Sequence, residues 1–188
     1  MIAHKKNKPF SAPQNSLIFA VSNSSPLILL AKINKLGILE KLYKKIYAPY
    51  EVYNEVVIKG KKENYSDAAL IEGCVNEILF VANIDLEYKK EAEKLKNILG
   101  SGESEAIALC MQLKAKLLLI DNLEPRKIAQ IKGIKCRSTP GILLEALKSK
   151  IMTFNQYGSA IKELSKYAYL SGDIVAYFLE QGYEIRGK

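Results

Sequence analysis

Along this chain, short aliphatic runs alternate with longer stretches in which apolar residues recur every three to four positions. The runs read as strands at residues 16–21, 45–48, 77–81, 117–120 and 134–138, each bounded by Ser, Asn, Pro, Gly or charged residues. The periodic stretches read as helices. One starts at Ser25-Pro26 and runs through Ile33, and others cover 38–42, 51–57, 66–73 and 85–99. A further helix opens at Gly102, another spans 122–131, one starts at Thr139-Pro140-Gly141, and two close the chain near 153–166 and 171–181. Residues 60–64 read as a charged loop. Strands alternating with helices over the whole length predict an α/β sandwich around a mostly parallel sheet. Two elements in this plan carry unusual cargo. The run Leu117-Leu118-Leu119-Ile120 reads as a fully buried parallel strand that ends abruptly in Asp121. The helix opening at Gly102 is apolar on two faces, yet it holds Glu103 and Glu105 in its first turn. Ligands bind at the carboxyl edge of open parallel sheets, and both acids and strand end fall there.

Composition narrows the chemistry. At 188 residues, the chain is expected to form one domain with a substantial core. No apolar run approaches the roughly 20 residues of a membrane helix. The first 15 residues are basic and interrupted by Pro9 and Pro13, which reads as a flexible arm rather than a secretory signal. A cytoplasmic location is the resulting expectation. Cys74, Cys110 and Cys136 are widely spaced and lack C-x-x-C spacing, so they read as small buried hydrophobes. His4 is the only histidine, which leaves carboxylates, hydroxyls or lysines for any catalysis. There is no G-x-G-x-x-G after the first strand, no phosphate-binding G-x-x-x-x-G-K-[ST], and no G-x-S-x-G elbow. The net charge of +8 fits a nucleic-acid partner, although a lysine-rich composition has other origins.

Polar residues at expected strand ends and helix starts are Asn23, Glu55, Glu103, Glu105 and Asp121. All but Glu105, which sits beside the most apolar stretch of its helix, have a ready structural reading. Asn23 and Asp121 can cap the helices that follow them, Glu55 can be a solvated face residue, and Glu103 gains from the helix dipole. As a set they gather acids at one sheet edge with no histidine near. Clustered carboxylates repel unless a cation neutralises them, and oxygen ligands suit Mg²⁺ or Mn²⁺.

The segments Val21-Ser22-Asn23-Ser24-Ser25-Pro26-Leu27-Ile28, Pro49-x-x-Val52-x-x-Glu55-Val56, Gly102-Glu103-Ser104-Glu105-Ala106-Ile107-Ala108-Leu109 and Leu119-Ile120-Asp121 resemble PIN-domain proteins. The likeness is greatest to a VapC-like prokaryotic branch of predicted nucleic-acid-binding proteins. It runs from about residue 17 to 150 and takes in Gly141-Ile142-Leu143-Leu144-Glu145-Ala146. The resemblance implies a Rossmann-like three-layer sandwich and a Mg²⁺- or Mn²⁺-dependent endoribonuclease. It further implies the toxin of a toxin–antitoxin pair, with RNA as substrate, a small antitoxin as partner, and a homodimer. It places Asn23, Glu55, Glu105 and Asp121 at the four acid positions, with Glu103 as an extra acid. Ser24 falls where a small hydroxyl residue follows the first acid, and Lys59, Lys61, Lys62, Arg126 and Lys127 are candidates for phosphate contact. The departure is Asn23, whose amide removes one charge. It opens the alternative of a catalytically weak or inactive module that binds RNA or protein. On this reading, residues 16–150 form the PIN-like domain. Residues 151–188 form a helical extension packed on it, with Tyr157, Tyr167, Tyr169, Tyr177 and Phe178 either covering the core or forming an interface.

Overall fold

A computed structural model describes residues 19–186. The expected basic arm, His4 and the start of the first strand lie outside the described residues. The first half runs β1 (Phe19–Ser22), α1 (Ser24–Lys32), α2 (Gly37–Leu42), β2 (Lys45–Pro49), α3 (Tyr50–Tyr53), a π-helical segment (Asn54–Lys59), α4 (Gly60–Lys62), α5 (Ser66–Gly73) and β3 (Leu79–Ala82). Then follow α6 (Leu86–Leu95), α7 (Ser101–Leu113), β4 (Leu117–Leu119), α8 (Leu123–Ile131), β5 (Lys135–Arg137), α9 (Thr139–Lys148), α10 (Phe154–Leu164) and α11 (Gly172–Arg186). The five strands are all parallel in the order β3-β2-β1-β4-β5. The sandwich expected from strand–helix alternation is thus present, with every strand pair parallel.

Alternation along the strands sorts side chains into two cores, because successive residues point to opposite faces. Ala20, Ile46, Ala48 and Leu119 join one cluster with α1, α2, α9 and α10. Val21, Tyr47, Leu118 and Ile120 join the other, which α6 and α7 cover. With both faces buried, the strands need continuous aliphatic runs, and β4 supplies one.

Several local readings differ from the structure: Cys74 and Cys136, expected to be buried, are half-buried, the last helix runs on to Arg186, and two helical stretches depart more sharply. Residues 60–64 were expected to form a loop, but the helix begun at Tyr50 passes through its π-helical segment and ends at Lys62. Gly60 makes this possible: a Cβ there would sit 2.9 Å from the Cβ of Ala68, so its bare backbone lets α5 pack closely. The helix expected to reach residue 99 ends at Leu95, and a turn carries the chain to Gly100. At the C-terminus, α10 and α11 pack on each other and on α9, and Tyr157 is fully buried with its hydroxyl donating to the Phe178 carbonyl at 2.6 Å. The other C-terminal tyrosines face solvent, Tyr169 completely. Among the described residues, no helix is long and apolar enough to cross a membrane.

Candidate functional site

The connection from β1 to its neighbours runs one way to β2 and β3 and the other way to β4 and β5, so the strand order reverses between β1 and β4. That reversal opens a crevice at the carboxyl ends of these two strands. Asn23 follows β1 directly, and its backbone N–H donates to the Leu119 carbonyl of β4 at 3.0 Å. It occupies the cap position of α1, yet its side chain makes no capping bond. Its Oδ1 instead faces Gly102, where a Cβ would lie 3.4 Å from Asn23 Oδ1 and 3.3 Å from Glu55 Oε2. The missing side chain at Gly102 therefore leaves a bare cradle between an amide oxygen and a carboxylate. Glu55 comes from the π-helical segment, a helix form that often marks functional sites. Ser24 holds it by donating to Oε2 at 2.6 Å.

The two acids of α7 part company. Residues two apart on a helix lie about 200° apart around its axis, so they cannot face the same cleft. Glu103 is the one turned inward. It accepts from the Gly100 N–H at 3.2 Å and from Asn122 Nδ2 at 2.5 Å. Glu105 points to α6 and α3, where Lys96 lies 3.8 Å away and the Glu51 backbone N–H reaches it. Burial pushes the Glu105 carboxyl above the usual range; Lys96 and the Glu51 N–H oppose the shift, and the Glu51 carboxylate reinforces it. Because its folded pKa is raised, ionising Glu105 costs stability as the pH rises through that value. Glu105→Gln removes this cost, so the native chain is expected to lose stability relative to the variant between the ordinary glutamate range and neutrality. Urea melts of both chains across that window check it; parallel pH profiles would refute it.

The same divergence occurs after β4. Consecutive residues of an extended strand end point to opposite sides. Asp121 turns to α9: Thr139 donates its backbone N–H to Oδ1 and its hydroxyl to Oδ2, both at 2.7 Å. Burial raises the Asp121 pKa, while the two Thr139 bonds and Arg126 oppose the rise. Asn122 turns the other way, onto Glu103. The structure thus gathers Asn23, Glu55, Glu103 and Asn122, with Glu51 and Lys59 at the rim, around a cleft of about 390 Å³. It leaves Glu105 and Asp121 outside that cleft. Asn122 had been read only as a helix start. Its signal was its place beside Asp121 at a strand end, where one of two neighbours must face the crevice.

The basic candidates are scattered. Lys59 borders the cleft, 3.9 Å from Glu51. Lys61 is paired with Glu72 at 2.8 Å, and Lys62 and Lys127 are exposed away from the cleft lining. Arg126 lines the neighbouring groove with Asp121.

The family described as the PIN domain matches residues 19–184. The chain is a PIN-domain protein. The match extends through α10 into α11 and accounts for the parallel sheet and the crevice at its strand reversal. No curated protein and no solved structure matches the chain. PIN domains have a nuclease-type fold and are generally hydrolases acting on nucleic acid, typically with divalent metals. In this PIN domain the cleft side chains suit such an ion in kind, being carboxylates and amides with hard oxygen donors. In number of charges they are sparse: among the described residues, no three Asp, Glu, His or Cys side chains are arranged to hold a metal ion. Glu55 and Glu103 instead already carry hydrogen bonds from the neutral donors Ser24 and Asn122. A donor set of one or two carboxylates still matches Mg²⁺, which is commonly held by such a set together with substrate phosphates.

Proposed function

We propose that this PIN domain is an endoribonuclease in which Glu55 and Glu103 hold Mg²⁺ or Mn²⁺ jointly with the phosphate of bound RNA. The observation that carries the reading is that Asn23, Glu55, Glu103 and Asn122 line one cleft at the strand reversal, with Asn23 Oδ1 and Glu55 Oε2 facing the bare backbone of Gly102. Ser24 keeps Glu55 turned into the cleft, Asn122 does the same for Glu103, and Lys59 offers a phosphate its charge. The ion supplies activated water and offsets charge on the phosphodiester, a chemistry that needs no histidine. The likeness to VapC-like toxins extends the proposal to a toxin paired with a small antitoxin and working as a homodimer. Growth arrest on expression, relieved by the product of an adjacent gene, tests that role; harmless expression counts against it.

Calorimetric titration with Mn²⁺, with and without an uncleavable single-stranded RNA analogue, tests the site. Binding is expected to strengthen when the analogue is present, and Glu103→Ala is expected to weaken it and to slow RNA cleavage at least about tenfold. Cleavage that is indifferent to metal and to Glu103→Ala would sink the proposal. A second reading, a PIN domain that binds RNA or protein with little cleavage, is favoured by the amides at positions 23 and 122. Under it, the native chain leaves RNA intact at millimolar metal.

A further inference from the structure

On one side the sheet ends at β5, which pairs only with β4. Lys135 donates its backbone N–H to the Lys116 carbonyl at 3.0 Å, and the Arg137 carbonyl accepts from the Ile120 N–H at 2.9 Å. Alternate residues of a strand turn their backbone groups to opposite sides, so the N–H and carbonyl of Cys136, between those two, face away from β4. They meet an open groove of about 440 Å³ along β5, walled by Leu117, Gln130 and Gly133. A backbone edge of this kind is a template for a further strand. The edge is also strongly basic. Residues 114–137 hold seven basic residues against two acidic ones, a surplus of five out of the chain's net +8. Lys132 is matched by Glu91 at 2.6 Å, and Arg137 by Glu145 at 3.0 Å. Lys116 and Lys135, bonded through their backbones, are exposed and have no ion pair among the described residues. Arg137 is fixed in place: its partner Glu145 also accepts the hydroxyl of buried Tyr43 at 2.7 Å, and its stem lies against bare Gly141.

We infer that the β5 edge docks an extended acidic segment of a partner protein, which adds to the sheet as a sixth strand. Pairing with the outward backbone of Cys136 sets its position. Lys135 and Arg137 are two apart and share one face of the sheet, so acids at alternate positions of the added strand come beside them. Charge selects this occupant. A second copy pairing edge to edge would set Lys135 and Arg137 against their own counterparts, and like charges facing across a strand pair destabilise it. Residues 1–18 of the chain itself contain Lys5, Lys6 and Lys8 and no acid, so they are repelled as well. Nucleic acid matches the charge, but a phosphate only accepts hydrogen bonds and leaves the Cys136 carbonyl unpaired, whereas a peptide strand both donates and accepts. Lysines on an edge strand also discourage pairing with neutral strands, so the charges that protect the free chain choose an acidic partner. The inference is independent of the nuclease reading, because the groove shares no lining residue with the cleft.

Fluorescence anisotropy of a short end-labelled peptide of alternating Glu and Val, added to the full chain at low salt, reads the binding. Saturable binding is expected, and it should weaken at least about tenfold in Lys116→Glu/Lys135→Glu and in about 1 M salt, where charges are screened within about 3 Å. Both lysines are exposed, so the variant should keep the native melting profile. Two further peptides keep the charges but carry N-methyl groups on one alternate set of residues or on the other. One form loses the N–H groups that face β5 and is expected to bind about tenfold more weakly, while the other is expected to bind as the parent does. Exchange of the Cys136 amide with solvent should slow in the complex. No saturable binding, or equal affinity of the native and glutamate chains, overturns the inference. Equal affinity of the two N-methylated forms also overturns it, since charge alone then accounts for the binding. Protection of the Cys136 amide by single-stranded RNA assigns the edge to nucleic acid instead. Protection in the free chain that grows with protein concentration assigns it to a second copy.

Discussion

Replacing both cleft amides, Asn23→Asp with Asn122→Asp, is expected to tighten Mn²⁺ binding and to raise RNA cleavage by about a hundredfold or more. A unit charge about 4 Å from a divalent ion contributes about 2 kcal/mol even at the dielectric constant of water. Each added carboxylate therefore improves binding at least roughly tenfold. The geometry adds a second effect. Asn122 Nδ2 now donates to Glu103 at 2.5 Å, so an aspartate there brings two carboxylates together where the native chain has a donor and an acceptor. Without a cation that pair repels and the fold loses stability; with one, the repulsion becomes chelation. The melting temperature of the double variant should thus rise steeply with added Mn²⁺ or Mg²⁺, whereas that of the native chain changes little. Calorimetry, thermal melts and a cleavage assay on the same preparations check this. A variant whose affinity and melting temperature ignore metal would show that the cleft does not hold a cation.

Asp121→Ala is expected to destabilise the chain by about 3 kcal/mol. Hydrogen bonds to a charged group contribute about 1.5–3 kcal/mol each, and leaving a buried donor unpaired costs about 1–3 kcal/mol. Asp121 accepts two such bonds from Thr139, which is fully buried at the first turn of α9. For a chain of this length, that corresponds to a melting temperature lower by roughly 6–12 °C. Asp121→Asn should be far milder, because its amide can accept from the Thr139 N–H and donate to its hydroxyl. Burial raises the Asp121 pKa, so the ionised native side chain loses stability as pH rises through that value. The asparagine variant is spared this loss and should compare best near neutrality. Melts of the three chains decide the matter. An unchanged melting temperature in Asp121→Ala, with cleavage abolished, would place Asp121 in the chemistry instead of the scaffold.

These two experiments fall on residues whose roles differ in how visible they are in one dimension. Asn23 and Glu55 were legible as candidates for different reasons: Asn23 closes the first strand, and Glu55 falls in the family-like pattern Val52-x-x-Glu55-Val56. Glu103 and Glu105 were both visible, and so was Asp121. Which of each neighbouring pair enters the cleft was not, since that depends on the rotation of α7 about its axis and on which side of the sheet the end of β4 turns. The charged stretch after Gly60 resembled a loop because its polarity signals solvent. Its helical state depends on the close packing of Gly60 against Ala68 of α5, a contact between segments that local composition does not encode.

Taken by itself, the sequence determined the alternation of strands and helices, the parallel sheet and the ordered motifs that carry the family likeness. It did so because burial on both faces requires uninterrupted aliphatic strands, and this demand is written locally. Tertiary structure alone decided that Glu103 and Asn122 enter the cleft while Glu105 and Asp121 face α6 and α9. It also decided that β5 forms an open edge of the sheet. Side-chain direction is set by how each element rotates to bury its apolar stripe against its neighbours, and that rotation exists only once the layers have packed.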